Sequence, residues 1–430
     1  MNPSTTLTAA APVPPSAKGD WLTIGLVGSA HASSHFFQLV IPSLFVPLGS
    51  AFGLDFAELG LLMTVFFVVS GLGQVASGFI VDRIGPRPVL WFGMAGFVAS
   101  ALILAGANGY ATLMLAVVVG GIGNAVFHPA DFSILNHRIA PNRLGHAFSA
   151  HNLTGTLGWA LSPLFVVSIS QWLGWRAAAL GVAAIMATVL VVLVLGRVAL
   201  FVEGTQHETR KGSNPKGNSR KLDQAGIFST LSKLLSSPAL WGAFLFFVCA
   251  TVAFSAVQNY TIPLMGEVYG MTVVAAGTVL SGYMVGQILG MLAGGFLVNA
   301  HPRTEVVVFF SLLAAALVFG LLAAGWVPLV LAAFAMALAG FFAGLSAPSR
   351  DMLVRKVTPR KSVGSVYGLV YAGLDVGSAL GPVMFGVLLD AGLRSGPWLG
   401  AALAFVIAAL LATHIGRASR DPTAGHYATN

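Results

Sequence analysis

The chain has 430 residues, of which 56% are hydrophobic and only 8% charged. Soluble domains carry about 25% charged residues, so this composition excludes a protein clothed for water. The formal net charge is +8, and the position of the basic residues along the chain decides what that excess means.

Residues 1–20 are rich in Pro, Ala and Thr, with Lys18 the only basic side chain. They read as a disordered cytoplasmic tail, not a cleavable leader. Apolar runs then recur near 21–48, 57–80, 88–107, 111–137, 145–170 and 176–201. A polar stretch covers 202–238, and further runs lie near 239–266, 272–299, 304–324, 327–354, 362–389 and 396–416. Most exceed the ~18 residues that suggest a membrane-spanning helix. A backbone in lipid must satisfy its own hydrogen bonds. The expectation is an all-α polytopic membrane protein of twelve transmembrane helices, with bundles at 21–201 and 239–416 and a short tail at 417–430.

Positive charge in short loops marks the cytoplasmic side. With the N-terminus inside, 20 of the 22 Lys and Arg residues fall on that side, and only Arg176 and Arg394 fall opposite. The basic excess is therefore an orientation signal, and nucleic-acid binding is not expected. Both termini and the linker, with Arg210, Lys211, Lys216, Arg220 and Lys221, are expected in the cytoplasm, where the linker's charges suit contact with anionic lipid. Trp172, Trp175, Trp326 and Trp398 fall near the outer ends and read as interfacial belts.

The two halves repeat. An offset of 217 carries Gly60, Gly73, Ala76, Gly78, Phe79 and Val81 onto Gly277, Gly290, Ala293, Gly295, Phe296 and Val298. Offsets of 218 to 219 pair Pro129 with Pro348, Pro141 with Pro359, Gly158 with Gly377 and Pro163 with Pro382. Parallel six-helix repeats across a cytoplasmic linker match the major facilitator architecture, in which substrate binds near the midplane between two rocking halves.

The loop Gly78-Phe-Ile-Val-Asp82-Arg83-Ile-Gly85-Pro86-Arg87 resembles the signature of the major facilitator superfamily. The resemblance implies a cytoplasmic latch built from Gly78, Asp82, Arg83, Gly85 and Arg87. Gly78 is expected at a close helix contact, and Asp82 at the N-terminus of a facing helix. In the second half Asn299 and Ala300 replace the acid and the arginine.

Three stretches narrow the likeness: His31-Ala-Ser-Ser-His35-Phe-Phe-Gln38; Gly121-Ile-Gly-Asn124-Ala-Val-Phe-His128-Pro129; and Gly145-His-Ala-Phe-Ser149 with Gly155, Gly158 and Pro163. Together they resemble the fosmidomycin-resistance branch of bacterial drug-efflux transporters. That resemblance implies proton-driven export of a small organic compound from the bacterial inner membrane. The chain has Ser34-His35 where the branch has Asn-Asp, Ala130 where it has Glu, and Ser162-Pro163 where the antiporter pattern has Gly-Pro.

Ionisable groups inside a span are costly and usually face a cavity. On span one His31, Ser34, His35 and Gln38 share a face, and His35 is expected to stand in for a missing acid as proton carrier. On span four Asn124, His128 and Asp131 share a face. Asp131 is the leading acid of the first half, set either for proton coupling or for an ion pair with Arg83, Arg87 or Arg138. His151 on span five is a further cavity candidate. Arg350 lies opposite Asp131 across the pseudo-twofold and is expected to gate with it or to bind an anion. On span eleven Tyr371 and Asp375 share a face. Asp375 is the second coupling candidate, with a hydrogen bond to Tyr371 as the alternative. Asn259 and Gln287 complete the cavity candidates.

No metal site, catalytic residue or cofactor is expected. His31 and His35 supply only two ligands, the lone Cys249 has no partner, and no nucleotide loop, HExxH or Gly-x-Ser-x-Gly occurs. The chain is not expected to be an enzyme. The expected partners are a small-molecule substrate, protons and membrane lipid, with the chain acting as a monomer. Proton-coupled efflux of a drug or metabolite comes first. Uptake of a small organic anion is the alternative, and a membrane receptor or assembly factor that has lost transport is a distant third.

Overall fold

The computed structural model describes residues 17–202, 238–300, 303–357 and 363–418. The N-terminal tail, the linker at 203–237, and Arg360 with Lys361 lie outside the described residues. All regular structure among the described residues is α-helical. Eleven spans are long and apolar enough to cross a membrane. They are α4 Phe56–Ile84, α5 Pro86–Ala105, α6 Tyr110–Asn124 continued by α7 Phe127–Arg138, α8 Leu144–Leu173, α9 Trp175–Leu195, α10 Pro238–Tyr269, α11 Val273–Ala300, α12 Thr304–Ala323, α13 Leu329–Val357, α14 Val363–Asp390 and α15 Gly396–Ala418.

The first span differs from the single helix expected at 21–48. It is broken into α1 Ala17–Gln38, α2 Val40–Ser43 and α3 Phe45–Phe52. Pro42 and Pro47 have no N–H to donate, so the ladder cannot run through them. Leu39 and Leu44 close the gaps with tighter bonds to Phe36 and Ile41, three residues back. Span four is broken as well, at Ala125 and Val126. Pro129 cannot donate to the Ala125 carbonyl, and the Ser77 hydroxyl of α4 does so instead, at 2.9 Å. A neighbouring helix thus satisfies the group that proline frees.

The halves pack by the same rule. In the first half α1 lies on α8, α4 on α6 and α5 on α9; in the second α10 lies on α14, α11 on α13 and α12 on α15. The repeat reaches the backbone. Gly53 and Gly270, 217 residues apart, both turn the chain at φ +67°, and Gly174 and Gly392, 218 apart, do so at +84° and +82°. These left-handed turns between spans favour glycine.

Between the halves α4 meets α14, and α8 meets α11. The described hydrogen bonds across this boundary gather toward the end that holds Phe56 and Asp390. The Asp390 carboxylate accepts from Phe56 N at 3.0 Å and Ala57 N at 2.7 Å. Tyr260 donates to the Pro382 and Phe56 carbonyls, and Thr64 donates to Ala379 O at 2.6 Å. The four tryptophans divide. Trp172 and Trp326 are exposed as interfacial belts require, whereas Trp175 and Trp398 are buried, against the rings of Phe52 and Tyr269.

Candidate transport site

The polar residues of the first half converge on α1, α7 and α8. His31 and His35 are one turn apart on α1, and His128 opens α7 directly after the break at Ala125 and Val126. Asp131 follows one turn later, and His151 comes from α8. Asp131 has no exposed surface. Its Oδ2 lies 3.2 Å from His151 Nε2 and 3.4 Å from His31 Nδ1. The His31 and His151 rings stack at 3.5 Å between centroids, and the His31 and His35 rings are 4.3 Å apart. His35 in turn lies flat on Trp159, at 4.0 Å and 24°.

The close fit of α8 on α1 depends on Gly155. A Cβ there would lie 2.7 Å from His35 Nδ1 and 2.8 Å from His31 Nε2, distances that force a ring to move. A hydrogen-bonded chain runs beside the imidazoles. Trp159 Nε1 donates to Gln38 Oε1 at 3.0 Å, and Gln38 Nε2 donates to Asn124 Oδ1 at 3.3 Å. Ser34 donates to the same oxygen, and Asn124 Nδ2 donates to Ser70 at 2.8 Å. Trp159 also meets Phe254 of α10 edge-on, at 5.0 Å. Its indole therefore touches the first-half cluster on one side and the second half on the other.

All seven first-half candidates, His31, His35, Gln38, Asn124, His128, Asp131 and His151, thus belong to one continuous site. The second-half candidates do not form one. Arg350 binds its neighbour Asp351 at 2.9 Å and lies over the Phe247 ring at 5.1 Å. The expected pairing with Asp131 is not formed, because that carboxylate is enclosed by imidazoles. For the same reason Asp131 does not pair with Arg83, Arg87 or Arg138. Tyr371 donates to Asp351 at 3.4 Å and not to Asp375. Asp375 rests against Gly71 of α4, where a Cβ on the glycine would stand 3.3 Å from its own Cβ. Asn259 donates to Ser255 within its own helix, and Gln287 Oε1 is buried without a described partner.

Among the described residues the expected latch makes no contact across the halves. Asp82 and Arg83 are exposed, and nothing lies within 4 Å of a Cβ at Gly78. Gly85 ends α4 at φ +88°. Arg87 donates to Arg197 O at 3.2 Å and covers the rings of Trp91 and Phe201. The carboxylate that does cap a helix across the halves is Asp390, at the opposite end of α4.

The family model of the Major Facilitator Superfamily matches residues 27–279 and 254–426. The chain belongs to that superfamily. It is 24% identical over 380 residues to the fosmidomycin resistance protein of Escherichia coli strain K12, covering 85% of this chain and 86% of that protein. It is 25% identical over 359 residues to the probable nitrate/nitrite transporter NarK2 of Mycobacterium tuberculosis, covering 81% and 85%. Among solved structures, a bacterial homolog of the human lysosomal transporter Spinster, inward-facing and occupied, superposes with a TM-score of 0.70 at 16% identity. That match covers 96% of this chain and 98% of the other, and at this identity it speaks for the fold alone.

This superfamily member carries two residues that sequence reasoning passed over. Trp159 stood in plain view between Gly158 and Pro163, but a tryptophan in an apolar run gives no sign of which ring it will cover. Asp390 lies in no sequence motif. Only the approach of α14 to α4 reveals it as a cap.

Proposed function

We propose that this chain is a proton-coupled secondary transporter that exports a small organic drug or metabolite by alternating access. Asp131 is its proton site, and His31 and His151 are the immediate partners of that site. One observation carries the reading: a carboxylate with no exposed surface lies between two imidazoles, 3.4 and 3.2 Å away. An ionisable group at membrane depth is costly and is usually retained for a task. A carboxylate against imidazoles offers acid and base side by side, so the cluster supplies a proton site whose neighbours are imidazoles and not an arginine. The stack from His31 through His35 and Trp159 to Phe254 supports coupling of that charge to the contact between the halves. Asp375, at the α4–α14 contact, is the second proton-carrier candidate.

In this reading the basic end is cytoplasmic, the chain works as a monomer in a bacterial inner membrane, and the latch residues engage when that end closes. Export is favoured by the likeness to the fosmidomycin resistance protein over 85% of the chain. The test loads expressing cells with labelled fosmidomycin and follows its retention with and without a proton uncoupler. Lower retention that the uncoupler abolishes is expected, and Asp131→Asn should remove it while leaving the protein in the membrane. Full uncoupler-sensitive efflux by Asp131→Asn would sink the assignment.

A second reading, proton-coupled uptake of a small anion, draws on Arg350 over Phe247 and on the likeness to NarK2. The direction of pH-driven flux separates the two. Arg350→Gln abolishes transport in the second reading and spares it in the first.

A further inference from the structure

We propose that His31, His128 and His151, with Asp131, form a binding site for one divalent transition-metal ion of the zinc class, buried in the first half of the molecule. Each of the three histidines offers a ring nitrogen, and the three atoms all lie within 4.8 Å of one another. The Asp131 Oδ2 atom is 3.4 Å from His31 Nδ1 and 3.2 Å from His151 Nε2. In a tetrahedral zinc site the ligand atoms sit at about 2.0–2.1 Å from the metal and hence about 3.3 Å from each other. The two Asp131–imidazole separations already have that spacing, and the three ring nitrogens, now within 4.8 Å of one another, close onto a bound ion from there.

A second observation points the same way. His31 Nδ1, His128 Nδ1, His151 Nδ1 and Asp131 Oδ1 are all buried with no hydrogen-bond partner among the described residues. Buried polar atoms are nearly always satisfied, so each of these four residues keeps a donor atom available to a ligand. The donor set selects its class. Imidazoles with one carboxylate suit zinc, cobalt, nickel or copper, and they do not suit magnesium or calcium, which take oxygen. His128 is half-buried, the most exposed of the three imidazoles, since His31 and His151 are buried. The three ligand helices α1, α7 and α8 would be tied together by the bound ion. The site does not require that Asp131 carry the coupling proton.

The experiment uses the full chain, purified in detergent with a tag free of histidine. His137, His146, His207, His301, His414 and His426 are replaced by Gln, which leaves His35 as the one imidazole outside the proposed ligand set. Equilibrium dialysis with zinc gives the stoichiometry, and cobalt(II) serves as the optical probe, since a four-coordinate ion absorbs strongly in the visible. We expect one ion per chain, the four-coordinate cobalt spectrum, and a higher unfolding temperature with zinc, because a ligand bound only by the folded state stabilises it.

His128→Gln should raise the Kd at least ten-fold and abolish the cobalt band while leaving the metal-free unfolding temperature within a few degrees of the parent. If that variant fails to fold, His31→Gln is read in the same way. A cobalt band and Kd unchanged in the folded variant would overturn the site, as would a chain that binds no zinc. A transporter whose pH-driven flux survives Asp131→Asn, yet which binds zinc through the histidines, would lose the proton assignment and keep this one.

Discussion

Trp159 is the side chain through which two parts of the molecule touch. One face of the indole covers His35 at 4.0 Å, an edge meets Phe254 at 5.0 Å, and the N–H is bound to Gln38 at 3.0 Å. Trp159→Phe separates these roles, since it keeps a ring against His35 and Phe254 but leaves Gln38 Oε1 without its donor. One neutral hydrogen bond contributes about 1 kcal/mol. The unfolding midpoint should therefore fall by only a few degrees. The initial transport rate should fall several-fold, because Gln38 also orients Asn124. Trp159→Ala removes the rings as well and should lower the rate much further. Equal rates for Trp159→Phe and Trp159→Ala would show that the hydrogen bond, and not the ring, carries the coupling.

Helices in this fold meet through glycine where backbone touches backbone. A Cβ at Gly286 or Gly290 of α11 would run into the carbonyls of Ala337 or Phe341 on α13, and one at Gly340 or Gly344 of α13 would strike those of Tyr283 or Gln287. Without water to drive association, such close packing is what holds membrane helices together. Gly290→Ala should cost about 1–3 kcal/mol as overpacking, seen as a lower melting temperature in detergent. Gly282→Ala, on the same helix but with nothing within 4 Å of the added carbon, should leave the melt unchanged or slightly raised.

The same elements show how far the chain could be read before it was folded. The apolar runs, the Gly and Pro offsets and the signature loop sufficed for twelve spans in two bundles, because hydropathy and repeat are local properties. The breaks at Leu39, Leu44 and Ala125 were signalled only as Pro42, Pro47 and Pro129. Helical spacing put His31 with His35 and Asn124 with His128 and Asp131 correctly on shared faces. It could not show that the faces of α1, α7 and α8 turn toward one another, since hydropathy does not set helix rotation. That is why Asp131 looked equally suited to an arginine. It is also why a ligand count taken along one helix stopped at two, where three helices bring three imidazoles together.

At the scale of the whole molecule, the described halves are joined along one part of α4. Phe56 faces Gly386, Thr64 reaches Ala379, and Gly71 touches Asp375. Among the described residues the hydrogen bonds between the halves lie toward the Asp390 end, and these bonds must break for the halves to part there. The Asp390 carboxylate receives the Phe56 and Ala57 amides at the N-terminus of α4, where a negative charge typically stabilises by about 0.3–1 kcal/mol. Asp55 and Glu58 cap the same turn from within the first half through the Glu58 and Asp55 amides, so the turn keeps that cap when Asp390 withdraws and the exposed Phe56 and Ala57 amides pass to water. Asp390→Ala should therefore shift the balance toward the form open at this end without unfolding α4. The chain has a single cysteine, Cys249, so a Cys249→Ser background carrying Thr64→Cys reports on the α4–α14 contact alone. Adding Asp390→Ala should speed labelling of that cysteine by an impermeant maleimide by about two- to five-fold, the ratio that 0.3–1 kcal/mol implies. An unchanged labelling rate would mean that Tyr260 and its carbonyl partners, not the carboxylate, hold this end shut, and Tyr260→Phe should then produce the acceleration instead.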